Sequence, residues 1–209
     1  AAPSDLGRNL LLPWLTEFRA AHPKLQLRLQ LSDQVADVFR DPVDIAFRLG
    51  RFDNASYVAL PLLPGNRRVL AASPDYLARH GTPDSLDALK EHHCLLYQLA
   101  GRAYDRWSFE ADGRRTVIPV RGNMVCDDAD VVRRWAMAGE GIVFKSWLDI
   151  CADVQAGRLQ VLLDGAGDSL PLNLVCPHRK QFSPAIRQLH AMFEQRLQPL
   201  LKDLPRVAG

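Results

Sequence analysis

Residues 25–49 read LQLRLQLSDQVADVFRDPVDIAFRL, and the repeat of their apolar positions decides the fold class. Leu25, Leu27, Leu29 and Leu31 alternate with Gln26, Arg28 and Gln30, a period of two that predicts a strand with one buried face. Ser32 and Asp33 are N-cap candidates ahead of Val35, Val38 and Phe39 at helical spacing, and Asp41-Pro42 closes that short helix. Val43, Ile45, Phe47 and Leu49 alternate again and predict a second strand. Upstream, Leu11, Trp14, Leu15 and Phe18 share one helical face ending at His22-Pro23, with Pro13 tolerable only near the helix start. Helices and strands in such close succession argue for parallel pairing with helices on the faces, an α/β protein.

Downstream, residues 57–63 and 67–73 read as strands and 74–79 as a short helix before Gly81. Residues 107–109 and 117–120 flank an Asp112-Gly113 hairpin turn, so a second sheet is expected. Residues 128–138 predict a helix ended by Gly139, and Ser146 with Asp149 fits a capping box opening another through Gln155. Residues 159–163 and 172–175 are strand-like, separated by a glycine-rich turn at 165–167. The last helix is marked by Ser183 as N-cap, Pro184 at its first position and an Ile186, Leu189, Phe193, Leu197 stripe.

The 209 residues, 47% hydrophobic and 24% charged, suffice for one large domain or two small ones with a sizeable core. Lys and Arg number 26 against 24 Asp and Glu, a net charge of +2, without the basic surplus of a free-standing nucleic-acid-binding module. Cys94, Cys126, Cys151 and Cys176 are no closer than 25 residues apart, so no disulfide framework is expected and a reducing cytoplasm fits. No apolar run reaches the roughly 20 residues of a membrane helix, and no charged segment followed by an apolar one opens the chain. A start at AAPSD rather than Met leads us to expect a fragment of a longer protein.

Signatures of catalysis are missing: no GxSxG elbow, no GxxxxGK[ST] loop and no HExxH helix occurs, and no nucleophile and base pair can be named, so no enzyme is expected. His92-His93-Cys94 invites a metal reading, but adjacent strand side chains point to opposite faces and no second ligand pair follows; neither metal nor cofactor is expected. Asp127, Asp128 and Asp130 read as dipole-offsetting caps, and the Arg67-Arg68, Arg114-Arg115 and Arg133-Arg134 pairs as solvated faces. What remains is positional: Ser4-Asp5, Ser32-Asp33 and Cys126-Asp127-Asp128 precede helices, where free amides and the dipole suit an anion or a small polar ligand.

Residues 2–50, opening APSDLGRNLLLPWL, resemble the effector-binding domain of LysR-type transcriptional regulators, as do RRVLAASPDYLARHGTP at 67–83 and HHCLLY at 92–97. The resemblance continues through NMVCDDADVVRRWAMAGEGIVFKSWL at 123–148, GRLQVLL at 157–163 and 170–193. It implies two Rossmann-like subdomains joined by two crossover strands, in the manner of periplasmic solute-binding proteins. The first would hold residues 1–71 plus 182–209 and the second 72–181. A small-molecule inducer would bind in the cleft between them. By position the resemblance implies ligand contacts from Pro3, Ser4, Asp5, Leu6, Ser32, Asp33, Arg48 and Gly50, and from Ser73, Tyr97, Met124, Cys126, Asp127, Phe144 and Lys145. Ser hydroxyls and helix amides would hold an inducer carboxylate, with charge from Arg48 or Lys145, whereas Asp5, Asp33 and Asp127 favour an amino-bearing or neutral polar ligand. It further implies a homodimer, a tetramer in the full-length protein, and DNA contact only through an N-terminal winged helix-turn-helix that this sequence does not contain. The alternative on the same fold is a solute-binding protein of a transport system.

Overall fold

A computed structural model of the chain describes residues 1–33, 43–51, 57–111, 114–176 and 183–205. In chain order its regular elements are α1 (Ser4–Leu6), a π-helical turn (Gly7–Leu11), α2 (Leu12–Ala21), β1 (Ala46–Leu49), β2 (Val58–Leu63), β3 (Arg67–Ala72) and α3 (Pro74–His80). There follow a 3-10 turn (Asp87–Glu91), β4 (Leu96–Leu99), β5 (Arg102–Ala103), β6 (Arg106–Ala111), β7 (Arg114–Pro119), β8 (Val125–Cys126) and α4 (Ala129–Met137). The chain closes with β9 (Val143–Ser146), α5 (Trp147–Gln155), β10 (Gln160–Ser169), β11 (Leu172–Cys176), α6 (Pro184–Leu197) and a 3-10 turn (Gln198–Leu201). The expected helix at Val35–Phe39 and the Asp112-Gly113 turn lie outside the described residues.

Two compact units result, one from Ala1–Asn66 with Leu170–Lys202, the other from Arg67–Ser169 with the C-terminal residues from Asp203. In the first, β11 pairs antiparallel with both β1 and β2. α6 packs Phe193 against Phe47 and Trp14, with ring centroids 4.9 and 5.5 Å apart, and Arg196 makes two bonds to the Glu17 carboxylate at 2.7 and 2.6 Å. In the second, β3 runs between β10 and β9, β4 between β5 and β8, and β6 pairs with β7. Leu70, Tyr76, Leu89, Trp107, Phe109 and Ile142 fill its core. Residues 203–205 belong to this second unit: the Asp203 carboxylate accepts from Gln155 Nε2 at 2.8 Å and the Pro205 carbonyl from Arg67.

Several expectations change. Boundaries after residues 71 and 181 would set β3 with the first unit and β11 with the second. The ladders put β3 between β9 and β10, and β11 between β1 and β2. Most ladders are antiparallel, because the strands that carry the chain from one unit to the other run back alongside their neighbours. Parallel pairing survives between β4 and β8, in the Cys94 and Ile142 bridge, and at the first residues of the chain. There Ala1 bonds to Ile45 and Phe47, and Ala2 bridges Leu31.

Among the described residues that bridge is the only pairing of residues 25–31. Pro3 follows Ala2 and has no N–H to extend the ladder. Leu27 is 42% exposed instead of buried. The stretch at 165–167 is no turn but part of β10, where the register against β3 shifts between Leu162 and Gly167. A Cβ at Gly167 would lie 2.8 Å from the Arg68 carbonyl oxygen, so only glycine lets the bulged strand close on β3. Ser146 makes no side-chain cap bond, and its expected partner Asp149 faces Lys145 instead. Helical backbone begins at Ser4 rather than Leu11; the wide π turn precedes Pro13 and leaves room for its ring.

Candidate functional site

In the first unit Pro3, Ser4, Asp5, Leu6, Ser32 and Asp33 meet around the start of α1. Pro3 keeps extended backbone, φ −56° and ψ 147°, while its carbonyl accepts from Gly7 N at 2.8 Å, which starts the helix. Gly7 abuts the Leu31 side chain so closely that a Cβ has no room. Ala2 is bonded to Gln30 and Ser32 at 2.9 and 3.0 Å, so residues 2–6 and 30–33 are held side by side. Across this seam Ser4 N donates to Asp33 Oδ1 at 2.7 Å and Ser4 Oγ donates to Asp33 Oδ2. Asp5, 1% exposed, accepts from Asn9 Nδ2 at 2.8 Å, and Leu6 is buried. Buried Arg48 follows Phe47, whose N–H bonds Ala1. Gly50 has φ +103°, which favours glycine; its N–H meets Pro171 O at 2.8 Å and its carbonyl accepts from Asn173 Nδ2 at 2.9 Å.

In the second unit Tyr97 and Cys126 are partners in the parallel β4 and β8 pair, and Leu96 N donates to Met124 O at 3.0 Å. Asp128 caps α4 by accepting from Asp130 N and Val131 N at 2.8 and 3.3 Å, while its own N–H meets Cys126 Sγ at 3.4 Å. Asp127 is exposed at this turn. The other three candidates also hold parts of the scaffold together. Ser73 caps α3, its hydroxyl accepting from Tyr76 N at 3.2 Å. Phe144 is buried against Phe109 and Trp107, with centroids 4.7 and 5.5 Å away. Lys145 donates to Ala129 O at 2.7 Å and pairs with Asp149 at 3.3 Å, so its ammonium ties β9 to the starts of α4 and α5.

Sequence reading missed His93. Its Nδ1 lies 2.6 Å from Glu140 O and its Nε2 accepts from Asn123 N at 3.0 Å, which fixes a neutral ring with the proton on Nδ1. The imidazole thereby pins the segment leading to Met124 and Cys126. The signal was two glycines far from it in sequence: a Cβ at Gly122 would collide with the Cys94 carbonyl, and one at Gly141 would lie 2.6 Å from His93 O. His92 turns to Tyr76 and Cys94 Sγ to Leu89 O, so the triplet does not converge, and among the described residues no cluster of three metal-ligating side chains occurs.

The arginines expected on solvated faces are partly buried. Arg133, 11% exposed, bonds Asp130 at 3.0 Å and Asp153 at 2.6 Å. Arg67 is buried too. Burial pushes the Cys94 thiol up to about 12 and raises those of Cys151 and Cys176. A cavity of about 850 Å³ in the first unit, lined by Leu15, Phe18, Leu25, Leu29, Ile45 and Ile186 among others, contains none of the candidate residues.

With this geometry in hand, the relatives fall into one class. A family model described as the LysR substrate binding domain matches residues 1–198. The regulator DmlR of Escherichia coli K12 is 30% identical over 157 residues, covering 75% of this chain and 51% of that protein. CrgA of Neisseria meningitidis is 31% identical over 155 residues, covering 74% and 51%. The solved regulatory domain of CrgA superposes with a TM-score of 0.78 at 26% identity, over 94% of this chain and 96% of that one. The effector domain of AmpR from Pseudomonas aeruginosa, at 20% identity and TM-score 0.73, shares the fold.

The chain belongs to the LysR substrate-binding domain family. It is a ligand-sensing domain of a LysR-type regulator, and the transport alternative is not favoured. It spans about half the length of the curated relatives it matches. Those relatives are transcriptional regulators. Among the described residues no helix is long and apolar enough to cross a membrane.

Proposed function

We propose that this domain binds a small-molecule effector through Pro3, Ser4, Asp5, Leu6, Ser32, Asp33, Arg48 and Gly50 of the first unit and Ser73, Tyr97, Met124, Cys126 and Asp127 of the second, Phe144 and Lys145 supporting the latter. The observation that carries the reading is the polar seam at the start of α1, where a main-chain amide, a hydroxyl and a carboxylate from distant segments are held together against a buried scaffold. Effector binding then biases the domain between two states in proportion to its differential affinity for them. The domain passes that bias, as a homodimer in the cytoplasm, to a DNA-binding segment of a longer protein, and performs no catalysis of its own.

A panel of small carboxylates, amino acids and phenolic compounds tests the reading by thermal unfolding. At least one compound should raise the melting temperature saturably, and Ser4→Ala with Ser32→Ala should abolish that rise. A rise that survives the double substitution would overturn the assignment of these residues, and a panel without effect would overturn the effector reading. Sedimentation should give a dimer at micromolar concentration.

A further inference from the structure

His93 holds two segments of the second unit at once, and only one of its two ring bonds survives a second proton. Its Nδ1–H donates to Glu140 O at 2.6 Å and its Nε2 accepts from Asn123 N at 3.0 Å. A protonated imidazole is a donor at both nitrogens. It keeps, and by its charge strengthens, the bond to Glu140 O, but at Nε2 it sets one N–H against another. The stretch so affected is short and bounded: Cys94 N bonds Arg121 O at 2.9 Å on one side of Asn123, and Leu96 N bonds Met124 O at 3.0 Å on the other. Between these anchors Gly122 presses on the Cys94 carbonyl, and Met124 leads directly into β8 and Cys126. The ring is half-buried, so solvent protons reach it. The other ionisable groups of the packed elements are turned elsewhere. From α3, the Tyr76 hydroxyl takes the His93 amide and faces His92, His80 stacks on Tyr76, and Arg79 donates to Gly139 O. The Cys94 thiol points to Leu89 O, and Glu91, Arg121 and Glu140 are exposed.

We propose that His93 is a proton-operated latch on the second unit's part of the effector site: protonation of its ring releases the Asn123 amide, and with it the segment that delivers Met124 and Cys126, while the bond to Glu140 O holds. The regulatory consequence rests on the effector-binding reading above. Acid loosens residues that the neutral ring pre-organises, so effector affinity falls as the ring takes up its proton. Reciprocally, an effector that needs the latched segment opposes that protonation.

The test follows the His93 ring nitrogens and the Asn123 amide by nuclear magnetic resonance from pH 8 to 5. At pH 8 a scalar coupling should cross the hydrogen bond between the Asn123 amide nitrogen and His93 Nε2. On acidification it should vanish, and the amides of Asn123 and Met124 should shift with the midpoint of the ring. The protection of the Asn123 amide against hydrogen exchange should fall at least tenfold over this range, while that of Ile142, whose amide bonds His93 O, does not. In His93→Gln, whose side-chain oxygen accepts from the same amide without titrating, these changes should disappear; in His92→Asn they should remain. A ring that titrates while Asn123 stays unmoved, an amide shift with a different midpoint, or a ring that stays neutral until the domain unfolds would overturn the proposal. So would persistence of the Asn123 shift in a folded His93→Gln, or its loss in a folded His92→Asn. If His93→Gln does not fold, the coupling in the unaltered protein decides alone. These measurements read the latch without ligand, so a thermal panel without effect would remove the effector reading and leave the latch standing.

Discussion

The Tyr76 hydroxyl lies 3.1 Å from His92 Nδ1 and 3.0 Å from His93 N. Since the His93 amide can only donate, the phenol oxygen accepts from it and sends its own proton to His92. One side chain on α3 thus fixes two consecutive residues at the entrance to β4. Tyr76→Phe keeps the buried ring but strands the His93 N–H, at a cost of about 1–3 kcal/mol. Urea unfolding should show it as a lower midpoint at unchanged slope.

The same contact sets a pH dependence. Burial foremost, then the neighbouring His80, holds His92 below its ordinary imidazole value of 6.5, with Glu91 opposing. The folded state therefore resists protonation while the unfolded state accepts it. Stability is full above about 6.5 and declines as pH falls below it, until the folded ring itself titrates. His92→Asn, which keeps an acceptor near the Nδ1 position, should flatten this part of the curve. Unfolding free energy measured from pH 8 to 5 in both proteins checks the sign.

Asp153, 2% exposed, receives Arg133 at 2.6 Å and Arg158 at 2.7 Å. Asp153→Ala leaves the Arg133 guanidinium buried with one counter-ion fewer and should destabilise by about 3–5 kcal/mol. Arg158→Ala, whose side chain is 53% exposed, should cost well under half of that. Chemical denaturation of the two variants side by side gives the comparison.

Thiol chemistry should be confined to one cysteine. Cys94, Cys151 and Cys176 are buried with raised thiols, whereas Cys126 is half-buried at the turn into α4. At pH 8 an aromatic disulfide reagent should modify a single thiol in the folded protein and all four after denaturation. Cys126→Ser should remove the fast reaction.

Much of the fold was readable wherever the deciding partners are close in sequence. Ser183 caps α6 at Ile186 N and Asp128 caps α4 because a cap and its amide are three residues apart or fewer. Residues 25–31 misled because alternation only offers a face; whether a ladder forms depends on the partner, here the short Ala1-Ala2 segment ending in Pro3. Strand direction was illegible for the same reason, since β11 pairs with β1 from more than a hundred residues away. Of the candidate residues, Ser4 and Asp128 stand at helix starts as their sequence context predicts, because short polar residues ahead of an apolar periodic run mark a helix start. The Ser4 and Asp33 pairing, the diversion of Lys145 to Ala129 and the pinning by His93 needed distances that no spacing in the sequence encodes.

Residues 203–205 give the second unit a piece from the far end of the chain, so the polypeptide passes between units three times: after Asn66, after Ser169 and after Lys202. Neither unit is then a cassette. A chimaera that exchanged only residues 67–169 for those of a relative would bring in a foreign residue at Arg67 and keep the old Pro205 beneath it, and likewise at Gln155 and Asp203. Recombination that respects the folded parts must cut in three places at once, which ties the inheritance of the final residues to that of the central hundred.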